Sequence, residues 1–174
     1  MRKLKNKELK RLNLEEFKSK KKVPIVIVLD NVRSAHNVGS VFRTSDAFLI
    51  EKIILCGICP IPPKNEIRKT ALGATESVEW IYTENSINSI KTLKDVGYKI
   101  ASVEQADNST HLNDFSLDKN QKIALVFGNE INGVNDEIVQ MSDSVIEIPQ
   151  HGTKHSFNVS VSVGIVLWDL SRKI

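Results

Sequence analysis

The stretch PIVIVLD, residues 24–30, is an unbroken aliphatic run, mostly β-branched. It leaves no polar face for solvent, so it reads as a strand buried on both sides, as in a parallel sheet covered by helices. KIILC (52–56) and KIALVFG (122–128) repeat the pattern, and VEWIY (78–82), YKIASVE (98–104) and SVIEIP (144–149) extend it. Helical spacing falls between them. VGSVFRTSDAF follows the first strand, and NSINSIKTLKDV places Ile87, Ile90, Leu93 and Val96 on one face, with Asn85 as cap and Gly97 as terminator. Residues 64–75 suggest a short helix broken at Gly73, and NEINGVNDEIVQMS suggests a turn and a short helix. Strands alternating with helices predict an α/β domain, a mostly parallel sheet flanked by helices.

One such domain suits 174 residues. No window reaches the roughly 18 apolar residues of a membrane span, and no apolar signal core follows the N-terminus. A soluble, cytoplasmic protein without membrane contact is expected. Cys56 and Cys59 form a CxxC pair, but PIPP follows where a redox motif would open a helix, and no second ligand pair has zinc spacing. Both read as small apolar residues at a strand end, and no metal is expected.

Charge is unevenly spread. Residues 1–22 hold ten Lys or Arg against three Glu, a net +7, so the chain's +3 leaves −4 on residues 23–174. A basic arm (1–22) on a mildly acidic domain (23–174) points to a polyanion, nucleic acid first, with Arg2, Lys3, Lys10, Arg11, Lys20, Lys21 and Lys22 as candidate contacts. A solubilising tail is the alternative. Leu4, Leu9, Leu12, Leu14 and Phe17 give the arm enough apolar content for a short helix packed on the domain.

Ligands of parallel sheets gather at the carboxyl ends of the strands. Three such ends carry polar, glycine-bearing sequence, and all should open on one edge. The first, DNVRSAHNVGSVFRTSDAF, suggests a turn at Asn37 and an anion-favouring helix start, with Arg43 as a forked cation on its first turns. The second, LVFGNEINGV, has Gly128 for close backbone approach and Glu130 beside it, but matches neither a P-loop nor a dinucleotide fingerprint. The third, IPQHGTKHSFNVSVSVGIVLWDL, is ambiguous. Its valines alternate at strand period, while Phe157, Val161, Ile165 and Trp168 also share a helical face. His151 and His155 lack a third ligand, and Ser156 beside His155 does not make a hydrolase triad.

In this order and spacing, HNVGSVFRTSDA, LVFGNEINGV and IEIPQHGTKHSFNVSVS resemble the three motifs of the SpoU branch of the SPOUT superfamily, and KTALGATESVEW resembles its intervening loop. These are knotted ribose 2′-O-methyltransferases of tRNA and rRNA. The resemblance covers residues 24–172 and implies a C-terminal trefoil knot, a loop followed by a helix in motif three, and a homodimer whose chains build the cleft together. It also implies bent S-adenosylmethionine held near Gly128, Ile148, Phe157 and Val103. Phe157 departs from the usual leucine, and Phe48 stands where glycine is common.

The family's catalytic positions match Asn37, Arg43, Glu130, Ser156 and Asn158. A guanidinium does not deprotonate in proteins, so Arg43 is expected to bind the adjacent phosphate and stabilise developing alkoxide charge. Asn37 is expected to shape the loop presenting Arg43, and Glu130, Ser156 and Asn158 to orient groups around the site. The short basic extension leans towards tRNA, with a D-loop guanosine as the candidate target. The competing reading is a non-catalytic RNA-binding or assembly factor that keeps the fold.

Overall fold

The computed structural model describes residues 1–118 and 120–173, of Asn6 the backbone alone. In chain order come α1 (Leu14–Ser19), β1 (Val23–Asp30), α2 (Ala35–Ala47), β2 (Ile50–Cys56), α3 (Asn65–Ala71), α4 (Ala74–Ser77) and β3 (Glu79–Thr83). Then follow α5 (Ser86–Asp95), β4 (Lys99–Val103), β5 (Thr110–His111), β6 (Ile123–Phe127), α6 (Asp136–Met141), β7 (Ser144–Glu147) and α7 (Val159–Ser171). The seven strands form one sheet in the order β3-β2-β1-β6-β4-β7-β5. Every pairing is parallel, with Ile27 opposite Ile53 on one side and Leu125 on the other. The two-residue β5 lies in polar sequence with no strand signal.

The β-branched run of β1 explains the two-sided core. Ile25, Ile27 and Leu29 face a cluster with Phe42 of α2, Ile67 of α3 and Val163 and Val166 of α7. Val26 and Val28 face Ile90 of α5 and Ile138 of α6. Cys56 and Cys59 belong to the two different clusters and are free thiols, both buried. Burial is the main reason their pKa values rise, to about 12 and about 11. As the sequence suggested, they are apolar filling at a strand end.

Motif three resolves as a loop and a helix. Asn158 caps α7 by accepting from the Ser160 amide. Val159, Val163, Val166, Leu167 and Leu170 are buried, while Val161 and Trp168 are 48% and 60% exposed. The cap and this apolar stripe outweigh the β-propensity of the alternating valines.

The basic N-terminal segment is partly docked. A capping box between Asn13 and Glu16 starts α1, and Phe17 is buried in the core. Lys22 donates to the Phe17 carbonyl and to the Lys20 carbonyl, and its ammonium lies over the Phe17 ring. Lys22 therefore caps α1.

The crossing of α2 and α3 depends on a missing side chain. A Cβ on Gly39 would overlap the Thr70 hydroxyl and the Ile67 carbonyl. Gly39→Ala is expected to cost about 2 kcal/mol, within the usual range for overpacking. Chemical denaturation checks this, and unchanged stability would mean that the two helices separate freely.

Candidate active site

Parallel pairing puts the ends of β1, β4, β6 and β7 on one edge, as expected for the three motifs. A cavity of about 710 Å³ opens there. Its walls come from the end of β4 (Val103 to Ala106), the loop after β6 (Gly128 to Val134), Ile148 after β7, and the approach to α7 (His155 to Val159). All four residues expected to hold the cofactor, Val103, Gly128, Ile148 and Phe157, line this cavity, as do Glu130, Ser156 and Asn158.

The loop after β6 is fixed by its own hydrogen bonds. Asn129 and Gly133 exchange backbone bonds of 2.9 Å in both directions, and the Asn129 side chain accepts from the Ile131 amide. Glu104 accepts from the Val134 amide at 3.0 Å, tying the loop to the end of β4. Gly128 lies against the Gly133–Val134 backbone with no room for a Cβ.

One chain of polar contacts joins the three motifs. The Glu130 carboxylate accepts from the amides of Arg33 (2.9 Å) and Ser34 (3.1 Å) and from the Asn37 side chain (3.0 Å). Asn37 in turn accepts from the Asn158 side chain at 3.1 Å. Asn158 accepts from the amide and hydroxyl of Ser160. The starts of α2 and α7 and the loop after β6 are thus held in one register.

This network corrects two expectations about the first motif. The cap of α2 is Ser34, and Asn37 lies in the first turn, where it bonds across the site; it does not shape a loop. The amides leading into α2 already have an anion, Glu130, so they offer no phosphate cradle. Arg43 is the ninth residue of α2, and six residues at about 100° each turn it roughly 120° from Asn37 around the axis. It is exposed, lies outside the cavity, and has no hydrogen-bond or ionic partner among the described residues.

Burial pushes the Glu130 carboxyl up, but donation from the Arg33 amide, its own amide, the Ser34 amide and the Asn37 side chain outweighs this, and its pKa falls below the ordinary 4.5. The group is an ionised connector. A lowered carboxyl pKa adds stability that is complete above the unfolded value and fades as pH falls through the folded one. Thermal melts should therefore lose stability from pH 4.5 downward. Glu130→Gln should start lower at neutral pH and show a shallower acid limb. Parallel limbs for the two proteins would show that the carboxylate adds nothing.

Sequence reasoning missed Glu104, Gln105 and Ala106, which line the cavity after β4. The polar run EQADN after Val103 was the available signal, a fourth strand end on the same edge. Of the basic arm, Arg2 pairs with Glu8 and Lys22 caps α1, while Lys3, Lys10, Arg11, Lys20 and Lys21 are exposed without ionic partners among the described residues. Among the described residues, no arm side chain lines the cavity.

The SpoU rRNA methylase family model matches residues 24–168. The chain belongs to this family. It is 34% identical over 164 residues to an uncharacterised tRNA/rRNA methyltransferase of Borreliella burgdorferi, covering 92% of this chain and 69% of that protein. It is 31% identical to a putative TrmH family tRNA/rRNA methyltransferase of Staphylococcus saprophyticus, covering 90% of this chain but 61% of that protein. Among solved structures it superposes on the TrmH/SpoU tRNA modifying enzyme of A. aeolicus with a TM-score of 0.80 and 28% identity, over 92% of this chain and 80% of that one. It also superposes on an AdoMet-bound rRNA methyltransferase of Sinorhizobium meliloti with a TM-score of 0.80 and 25% identity, over 87% and 57% of the two chains. The SpoU fold is thus a parallel sheet flanked by helices, and no described helix is long and apolar enough to cross a membrane.

Proposed function

We propose that this chain methylates a ribose 2′-hydroxyl of RNA with S-adenosylmethionine as donor, tRNA slightly favoured over rRNA. The observation that carries this reading is the hydrogen-bonded chain from Glu130 through Asn37 to Asn158, at the rim of the cavity. A purely structural domain has no need to join three strand-end motifs beside an open pocket.

The cavity fits the cofactor. Val103, Ile148 and Phe157 offer apolar walls for an adenine, and Gly128 lets a ligand reach the backbone. When bound, the sulfonium supplies an activated methyl group, which passes to the ribose oxygen as the carbon–sulfur bond breaks. The chain's own residues then have limited work. Ser156 and Asn158 border the cavity and orient what enters it, and Glu130 holds the rim in place. A substrate phosphate or water takes the hydroxyl proton, and Arg43 stabilises the charge that develops on oxygen.

Arg43 lies outside the cavity of its own chain, which supports a homodimer in which both chains build the cleft. Val161 and Trp168, exposed on α7, supply apolar surface for that contact. The C-terminal trefoil knot belongs to the same proposal.

Incubation with labelled S-adenosylmethionine and separate pools of unmodified tRNA and rRNA, followed by digestion to nucleosides, tests the reading. A 2′-O-methyl nucleoside from one pool supports it and names the base. Cofactor and RNA binding without transfer would favour the assembly-factor reading.

The arm contributes through charge. Because Phe17 is core and Lys22 a cap, charge replacement is a cleaner test than deletion of the segment. Replacing Lys3, Lys10, Arg11, Lys20 and Lys21 by Gln should reduce the logarithmic salt slope of RNA binding by up to about 3.5, at about 0.7 for each charge. An unchanged slope would make the arm a solubilising tail.

A further inference from the structure

A shallow cleft of about 360 Å³ adjoins the cavity, lined by Arg33, Ser34, Asn37, Glu130 and Ile131. Glu130 and Ile131 line both. Most polar groups of the cleft are already committed, since the Glu130 carboxylate takes the amides of Arg33 and Ser34 and the side chain of Asn37. Two side chains remain. The Arg33 guanidinium is exposed and has no hydrogen-bond or ionic partner among the described residues. Ile131 is 73% exposed, the highest value among the exposed large apolar side chains after Met1.

Ile131 is not exposed through a loose loop. The paired backbones of Asn129 and Gly133 close the turn, and Asn129 Oδ1 accepts from the Ile131 and Asn132 amides. This turn holds an apolar side chain in water at the border of cavity and cleft. A free guanidinium beside a fixed apolar surface matches the two halves of a nucleotide, its phosphate and its sugar and base.

Resting on the reading of this chain as an RNA methyltransferase, we infer that the cleft receives the nucleotide to be methylated. Arg33 binds a backbone phosphate next to that nucleotide, and Ile131 packs against its sugar and base. Across Glu130 lies the cavity that takes the methyl donor, so donor and acceptor meet at a shared wall. Arg33 and Ile131 are positioning residues in this arrangement and take no part in bond making.

The test uses the full chain with bulk unmodified tRNA, and unmodified rRNA in parallel. RNA affinity is measured across a salt series, and methyl transfer with RNA as the varied substrate. Arg33→Gln should lower the salt slope by about 0.7, one single-stranded phosphate, and Arg33→Lys should restore it. Arg33→Gln should also raise KM for RNA about fivefold with kcat unchanged, the pattern of lost uniform binding. Ile131→Ala should leave the salt slope unchanged and lower kcat/KM about fivefold through KM. S-adenosylmethionine affinity should stay at the wild-type value in both Arg33 variants, because Arg33 lines no part of the cavity. An unchanged slope with Arg33→Gln and an unchanged KM with Ile131→Ala would overturn the inference. A wild-type protein that binds RNA but transfers no methyl group would overturn the enzymatic reading instead, and the Arg33→Gln slope would still decide whether the cleft holds RNA.

Discussion

Arg43→Ala is expected to reduce methyl transfer by about 10²–10³-fold, the usual loss when one preorganised donor to a developing oxyanion is removed. Cofactor affinity should stay near the wild-type value, because Arg43 lines no part of the cavity. Stability offers no escape from this test. The side chain is exposed and unpartnered among the described residues, and such surface substitutions usually shift stability by less than about 0.5 kcal/mol. Single-turnover kinetics and calorimetric titration of the cofactor separate the two quantities. An equal loss of both would show that Arg43 supports the fold of α2 and has no part in the chemistry.

Gly128→Ala is expected to lower S-adenosylmethionine affinity by at least ~100-fold and stability by about 3 kcal/mol, the upper end for overpacking. The added methyl would overlap the backbone of Gly133 and Val134, and backbone cannot rotate away as a side chain can. Nor can the loop retreat as a unit. It is closed by the Asn129–Gly133 bonds and tied to Glu104, and it carries Glu130, on which the start of α2 depends. Calorimetry and a thermal melt read both effects. Wild-type affinity would mean that the loop is far looser than its hydrogen bonds suggest.

The sheet was legible in the sequence because burial on both faces leaves a distinctive signature, the apolar runs in β1, β2 and β6. The signal failed at two elements. β5 pairs through only Thr110 and His111, both exposed, and α7 is written in valines at strand spacing. Local pattern left α7 undecided; the family resemblance favoured a helix, and the Asn158 cap and buried stripe account for it physically. The same holds for the site. Strand-end glycines and asparagines announced the right edge of the sheet, but the bonds from Glu130 to Asn37 and from Asn37 to Asn158 span long separations in sequence. Local pattern carries no information about such partners. That is why the first motif suggests a turn at Asn37 and a free anion site at the start of α2, where the structure has a helical Asn37 and the Glu130 carboxylate.

The strand order also has a consequence in time. β1 pairs with β6, Ile25 opposite Ile123, so the centre of the sheet closes only after almost a hundred further residues have been synthesised. Translation at ~5–20 residues per second makes that interval roughly 5–20 s. During it β1, β2 and β3 can assemble on the ribosome, but one edge of the apolar strand β1 stays open. A nascent chain in that state is a template for pairing with its neighbours on a polysome. Cellular yield should therefore depend on chaperone supply and translation speed far more than the finished protein's stability would suggest.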